Sequence, residues 1–141
     1  MTDWGPPRAS IEAECARRGR AEVVDGCVRL LRRDDVDVDL LVALAGPGAR
    51  RFHGEERDDD YWLRVWGARG LLWAWDDSAT AAIVTAASDD HWRVREMAAK
   101  VVARHHVDEA LDAMLALRDD PVPRVRAAGQ RAVVELTRVV T

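Results

Sequence analysis

Apolar residues recur along this chain every three to four positions, in runs separated by acidic or glycine-bearing turns. Ser10 stands where a helix N-cap would, ahead of Ile11, Cys15 and Arg18 at helical spacing, and Gly19 ends or kinks that segment. From Arg20 to Arg33, Val23, Val24, Cys27, Leu30 and Leu31 fall at i, i+1, i+4, i+7 and i+8, the pattern of an amphipathic helix. Val38, Leu41, Val42 and Ala45 predict a short helix stopped by Gly46-Pro47-Gly48. Residues 46–57 read as a surface loop. Asp58-Asp59-Asp60 is placed to cap a long helix to about Trp75, and Asp76-Asp77-Ser78 to start another to about Ala87. Further helices are predicted from Trp92 to about His105, over Val107–Leu117, and from Pro123, suited to the first helical position, towards Val139. Gly5-Pro6-Pro7 does not start a helix cleanly, so residues 1–9 are expected to form a flexible lead-in. No proline falls inside a predicted helix, and the β-branched residues do not alternate. The pattern predicts an all-α fold of about eight helices.

The second half of the chain repeats itself. The string from Asp89-Asp90 through Val94-Arg95, Ala98-Ala99 and Val101-Val102 matches the one from Asp119-Asp120 through Val125-Arg126, Ala127-Ala128 and Ala132-Val133. The offset is 30 at the aspartates and 31 at Val-Arg, and a fainter copy starts at Asp59-Asp60-Tyr61-Trp62. A period of this length with two helices per unit means stacked helical hairpins, because one hairpin cannot bury its apolar face alone. An Asp-rich turn, then Val-Arg, then small residues and aliphatics resembles the HEAT-like repeat class, including the short repeats of phycobilisome-lyase-type proteins. The resemblance is clearest over 89–141, extends over 58–88 and fades over 10–45. It implies an α-solenoid of stacked antiparallel hairpins in one domain over 10–141, with repeats at 58–88 and 89–118 and a half repeat at 119–141. Small residues at Ala98, Ala99, Ala128 and Gly129 would let helices approach closely. The turn aspartates are expected to cap the following helices and to pair with arginines, Asp90 with Arg95 and Asp120 with Arg126, as a ladder along the stack.

Composition narrows the function. Hydrophobic residues are 48% of the 141 and charged ones 33%, enough for a core and a solvated surface. A formal net charge of −4 argues against a protein that mainly grips phosphate backbones. Lys100 is the only lysine beside many arginines, and with abundant Ala, Val and Asp this points to a GC-rich bacterial genome. Cys15 and Cys27 fall on apolar-periodic segments, outside any CxxC, and are expected to be reduced and buried. No stretch approaches the roughly 20 apolar residues of a membrane helix, and no leader precedes the helices, so a cytoplasmic protein is expected.

Tryptophan is the compositional oddity, with six in the chain and four between 62 and 75. Trp62, Trp66, Arg69 and Trp73 would share one face of the predicted helix. Either this helix is sandwiched between repeats with its rings as core, or one or two rings line a groove with Arg69 as a binding platform. Arg50, Arg51, Phe52, His53 and Arg57 form the most basic local stretch, read as a solvated loop balanced by Glu55 and Glu56 or as a contact for an acidic partner or nucleic acid. His105-His106 with Asp108 and Glu109 sketches a metal site poorly, since adjacent helical histidines point about 100° apart. No HExxH, triad motif or phosphate-binding glycine loop is present, so neither metal, cofactor nor catalytic residue is assigned. The leading reading is a non-enzymatic scaffold that binds another protein. The alternatives are a nucleic-acid binder, such as the HEAT-like alkylpurine DNA glycosylases, and a lyase-like helper for a tetrapyrrole. In a helical stack of this class, the binding face is expected on the second helices, 78–88 and 107–118.

Overall fold

Each apolar stripe forms a helix in the computed structural model, which describes residues 7–34, 37–52 and 58–138. The described residues hold eight α-helices, three short 3₁₀ segments and no strand. They pack into two compact units, one up to Ala79 and one from Thr80 onward, and the boundary falls inside the predicted repeat 58–88.

In the first unit, α1 (Pro7–Arg18) starts three residues before Ser10. Proline suits a first turn, whose N–H has no intrahelical acceptor in any case. Ser10 is therefore not the N-cap. Its hydroxyl donates to the Ala43 carbonyl at 2.8 Å, tying α1 to α3. Gly19, at φ +94°, separates α1 from α2 (Arg20–Leu31), a conformation that glycine reaches without steric cost. Helix α2 buries Val23, Val24, Cys27, Val28 and Leu30, and burial pushes the Cys27 thiol up to about 12. Helix α3 (Val38–Ala45) is capped by Asp37, whose carboxylate accepts from the Leu40 N–H at 3.0 Å and from Arg18 at 2.7 Å.

The predicted loop after α3 is structured in its first half. Pro47–Phe52 forms a 3₁₀ segment with Ala49 and Phe52 buried. Helix α4 (Tyr61–Gly70) packs chiefly on α2 and stops five residues short of Trp75. The reason is local. After Gly70, the N–H groups of Leu71, Leu72 and Trp73 bond three residues back, to Ala68, Arg69 and Gly70, which tightens the last turn out of the α-helical path. Glycine at 67 and 70 is set by packing. A Cβ on Gly67 would come within 2.9 Å of the Cys27 carbonyl, and one on Gly70 within 2.6 Å of the Cys27 Sγ and a Leu44 methyl. Asp60 occupies the N-cap position of α4, but its side chain makes no capping bond.

In the second unit, α5 (Thr80–Ala86), α6 (Trp92–His105), α7 (Leu111–Leu117) and α8 (Pro123–Thr137) surround Ile83, Val94, Val101, Val102, Met114 and Val125. Helices α6 and α8 form the most extensive pair, followed by α7 with α8. The turn before α5 is built by Asp76, whose carboxylate accepts from both the N–H and the hydroxyl of Ser78. Gly129 admits α7, since a Cβ there would meet the Leu117 Cβ at 2.7 Å.

The repeat register is 31 throughout this unit, not 30 at the aspartates. Asp89 and Asp120 each accept from the N–H two residues on, at 2.9 Å. Arg95 and Arg126 each donate from Nη1 to the carbonyl six residues back, at 2.8 Å. Asp89, rather than Asp90, is thus the counterpart of Asp120. The expected partners meet through the main chain: Arg95 reaches the backbone carbonyls of Asp89 and Asp90, and Arg126 that of Asp120. Arg95 also reaches the carboxylate of Asp120, at 2.8 and 3.3 Å, from the next turn along. Arginine is long enough to bond the carbonyls of its own turn with one nitrogen and the next acidic turn with the others.

Candidate interaction surfaces

The aromatic face predicted on α4 is divided in the structure. Trp62 and Trp66, one helical turn apart, stack with ring centroids 6.0 Å apart, and Tyr61 lies 5.2 Å from Trp62. Phe52 meets Trp66 edge-on at 4.9 Å, and the Arg51 guanidinium lies 5.3 Å from the Phe52 ring. This row fastens the 3₁₀ segment to α4. Its tryptophans are half-buried, as are Trp73 and Trp75. Trp73 lies beyond the end of α4, in the turn, so it does not extend the face. Arg69 is turned to α3, where its Nη2 donates to the Leu44 carbonyl at 2.6 Å and satisfies one of the last acceptors of that helix. Burial lowers its pKa, and its buried Nε has no hydrogen-bond partner. Arg50 and Arg51 are exposed, and Arg50 lines a shallow charged pocket with Ser10, Glu14, Arg17 and Asp39. His53 and Arg57 lie outside the described residues.

A second surface forms between α6 and α8, from residues that the sequence reading did not single out together as a site. It is built on a fixed end. Trp92 opens α6 after His91, whose Nδ1 accepts the Arg93 N–H at 3.1 Å as the N-cap. Arg93 and Arg124 lie over the Trp92 ring at 4.6 and 5.3 Å, so Trp92 packs α6 against α8 as a cation–π anchor. Arg124 is also forked onto the buried Glu96 at 2.9 and 3.3 Å. Asp120, at 8% exposure, lies at the start of α8. Burial pushes its carboxyl up, but the Arg95 hydrogen bond, the Val122 N–H and the charges of Arg95 and Arg126 outweigh this and hold it below the usual carboxylate value.

Past this end, an open groove of about 570 Å³ lies between the two helices. Ala99, Ala103 and Ala128 form its floor, with Lys100 and Arg104 on one rim and Gln130, Arg131, Val134 and Glu135 on the other. Val134, at 48% exposure, is the only large hydrophobic side chain exposed among the described residues. The groove thus lies between the first helices of successive repeats, whereas the sequence placed binding on the second helices. Two signals for it were in the sequence: a valine among polar residues on the outward side of α8, and two cations at i, i+4 beside a pair of alanines on α6.

His106 ends α6 in the left-handed conformation, at φ +52°, and its Nε2 lies 3.2 Å from Asp108. Among the described residues, no group of three or more His, Cys, Asp or Glu side chains is gathered around a possible metal position. None of the described helices is long and apolar enough to cross a membrane.

A family model described as HEAT repeats matches residues 55–133, more than half of the chain. The match takes in α4 to α7 and most of α8 and leaves out α1 to α3. No curated protein and no solved structure matches the chain.

Proposed function

Because the chain belongs to the HEAT-repeat family, we propose that it acts without chemistry of its own, as a helical-repeat module that binds another protein. The open groove between α6 and α8, with Val134 at its edge, carries this reading. Contiguous apolar surface rimmed by polar residues marks contact sites, and Val134 with the half-buried Ala103, between charged rims, is a small strip of this kind. The half-buried Trp62 and Trp66, next to the exposed Arg50 and Arg51, are a further candidate contact, of the residue types that dominate interface energetics. The net charge of −4 weighs against the nucleic-acid alternative.

Affinity capture from the native cell, run in parallel with the wild-type chain and Val134→Glu, tests the proposal. Val134 is exposed enough that the substitution should change stability by no more than about 0.5 kcal/mol. The expected result is a protein recovered in stoichiometric amount by the wild type and lost by the variant. Equal recovery by both, or recovery by neither, would reject the reading.

A further inference from the structure

We infer that the occupant of the α6–α8 groove is an acidic amphipathic helix of the partner protein. The inference rests on the protein-binding reading above and specifies its chemistry. The floor is made by Ala99 and Ala103, one turn apart on α6, and by Ala128 on α8. Alanines leave a trough between two helices where longer side chains would fill it, and a trough of this kind accepts the side-chain ridge of a third helix. The lining of α8 from Ala128 to Glu135 is about 10 Å long, which matches two turns of an incoming helix. Val134 offers the apolar contact at its edge.

Charge decides which helix fits. Lys100 and Arg131 stand on the two rims beside a single lining carboxylate, Glu135, and that one is already bonded to Arg138 at 2.7 Å. Lys100 is held only loosely by Glu96, at 3.9 Å. A basic rim on a chain of net charge −4 is a local inversion of sign, and it complements glutamate or aspartate on both flanks of an apolar stripe. A phosphate backbone is the poorer fit, because it would bring no apolar surface to the half-buried Ala103 and the exposed Val134.

The test uses the full chain and a stapled, fluorescently labelled peptide helix with leucines at i, i+4 and i+7 and glutamates on both flanks. A twin peptide carries lysines in place of the glutamates. The acidic helix should bind in a salt-sensitive manner, and its affinity should fall on the order of tenfold in Arg131→Glu and in Lys100→Gln. The lysine twin should not bind. Equal binding of the two peptides, binding unchanged by both substitutions, or no binding of the acidic helix would overturn the inference. So would a duplex-DNA shift lost in Arg131→Glu, or a concentration-dependent dimer lost in that variant, which would assign the groove to nucleic acid or to a second copy. A captured partner that depends on Val134 while the acidic helix fails to bind removes this inference and leaves the protein-binding reading intact.

Discussion

Gly67 and Gly129 stand two 31-residue offsets apart, with the buried Ala98 midway, and the two glycines share one task, which is to let a helix come close to its neighbour. At Gly129 the space for even one methyl is taken by the Leu117 Cβ and the Met114 carbonyl. Gly129→Ala should therefore destabilise the protein by about 1–3 kcal/mol through overpacking, although alanine is the better helix former. The midpoint of urea unfolding reads this directly. Asp120 gives the pH dependence. Its folded pKa lies below the unfolded value, so the unfolded chain takes up the proton first as pH falls. Its contribution to stability is full above the unfolded value of about 4 and is lost as pH drops through the folded value. Denaturant midpoints measured from pH 6 downward should fall steeply for the wild type and less steeply for Asp120→Asn.

Among the elements, the 3₁₀ segment Pro47–Phe52 depends most on a single side chain. Phe52 is buried and touches Trp66 edge-on, so Phe52→Ala should cost about 3–5 kcal/mol and shift tryptophan emission to longer wavelength as Trp66 becomes wetter. The existence of the α-helices was legible in the sequence because each carries an apolar stripe of period 3.6. Their ends were less legible, for reasons that differ from case to case. Helix α4 ends early because the N–H groups of Leu71, Leu72 and Trp73 turn back to carbonyls three residues away, a tightening that the continuing apolar stripe does not announce. Helix α1 starts early because a proline that would break a helix interior is accommodated in a first turn. The 3₁₀ segment was invisible, since Gly46-Pro47-Gly48 signals a turn and cannot report that Phe52 will be buried.

For the whole molecule, a repeat chain is stabilised mainly by contacts between neighbouring elements, so damage should stay local. Hydrogen exchange should show Gly67→Ala lowering protection first in α2 and α4, and Gly129→Ala first in α7 and α8. Uniform loss across all helices in either variant would contradict this. The repeat itself was legible from the Val-Arg strings. Its register at the acidic turns was not, because two adjacent aspartates leave the alignment ambiguous by one, and only the hydrogen bonds of Asp89 and Asp120 resolve it. The groove was legible only in part, since Val134 among polar residues and Lys100 and Arg104 at i, i+4 hinted at it, but no motif brings α6 and α8 together. The Arg95 joint has a consequence for how such a chain can lengthen. A segment from Asp89 to Asp119 holds both halves of the joint, an acceptor at its head and a donor six residues in. A tandem copy spliced in after Asp119 would offer its own leading aspartate to Arg95 and meet Asp120 with its own arginine. Each duplication would arrive with this joint matched at both flanks, so lengthening by a whole unit would need no compensating change at the joint itself.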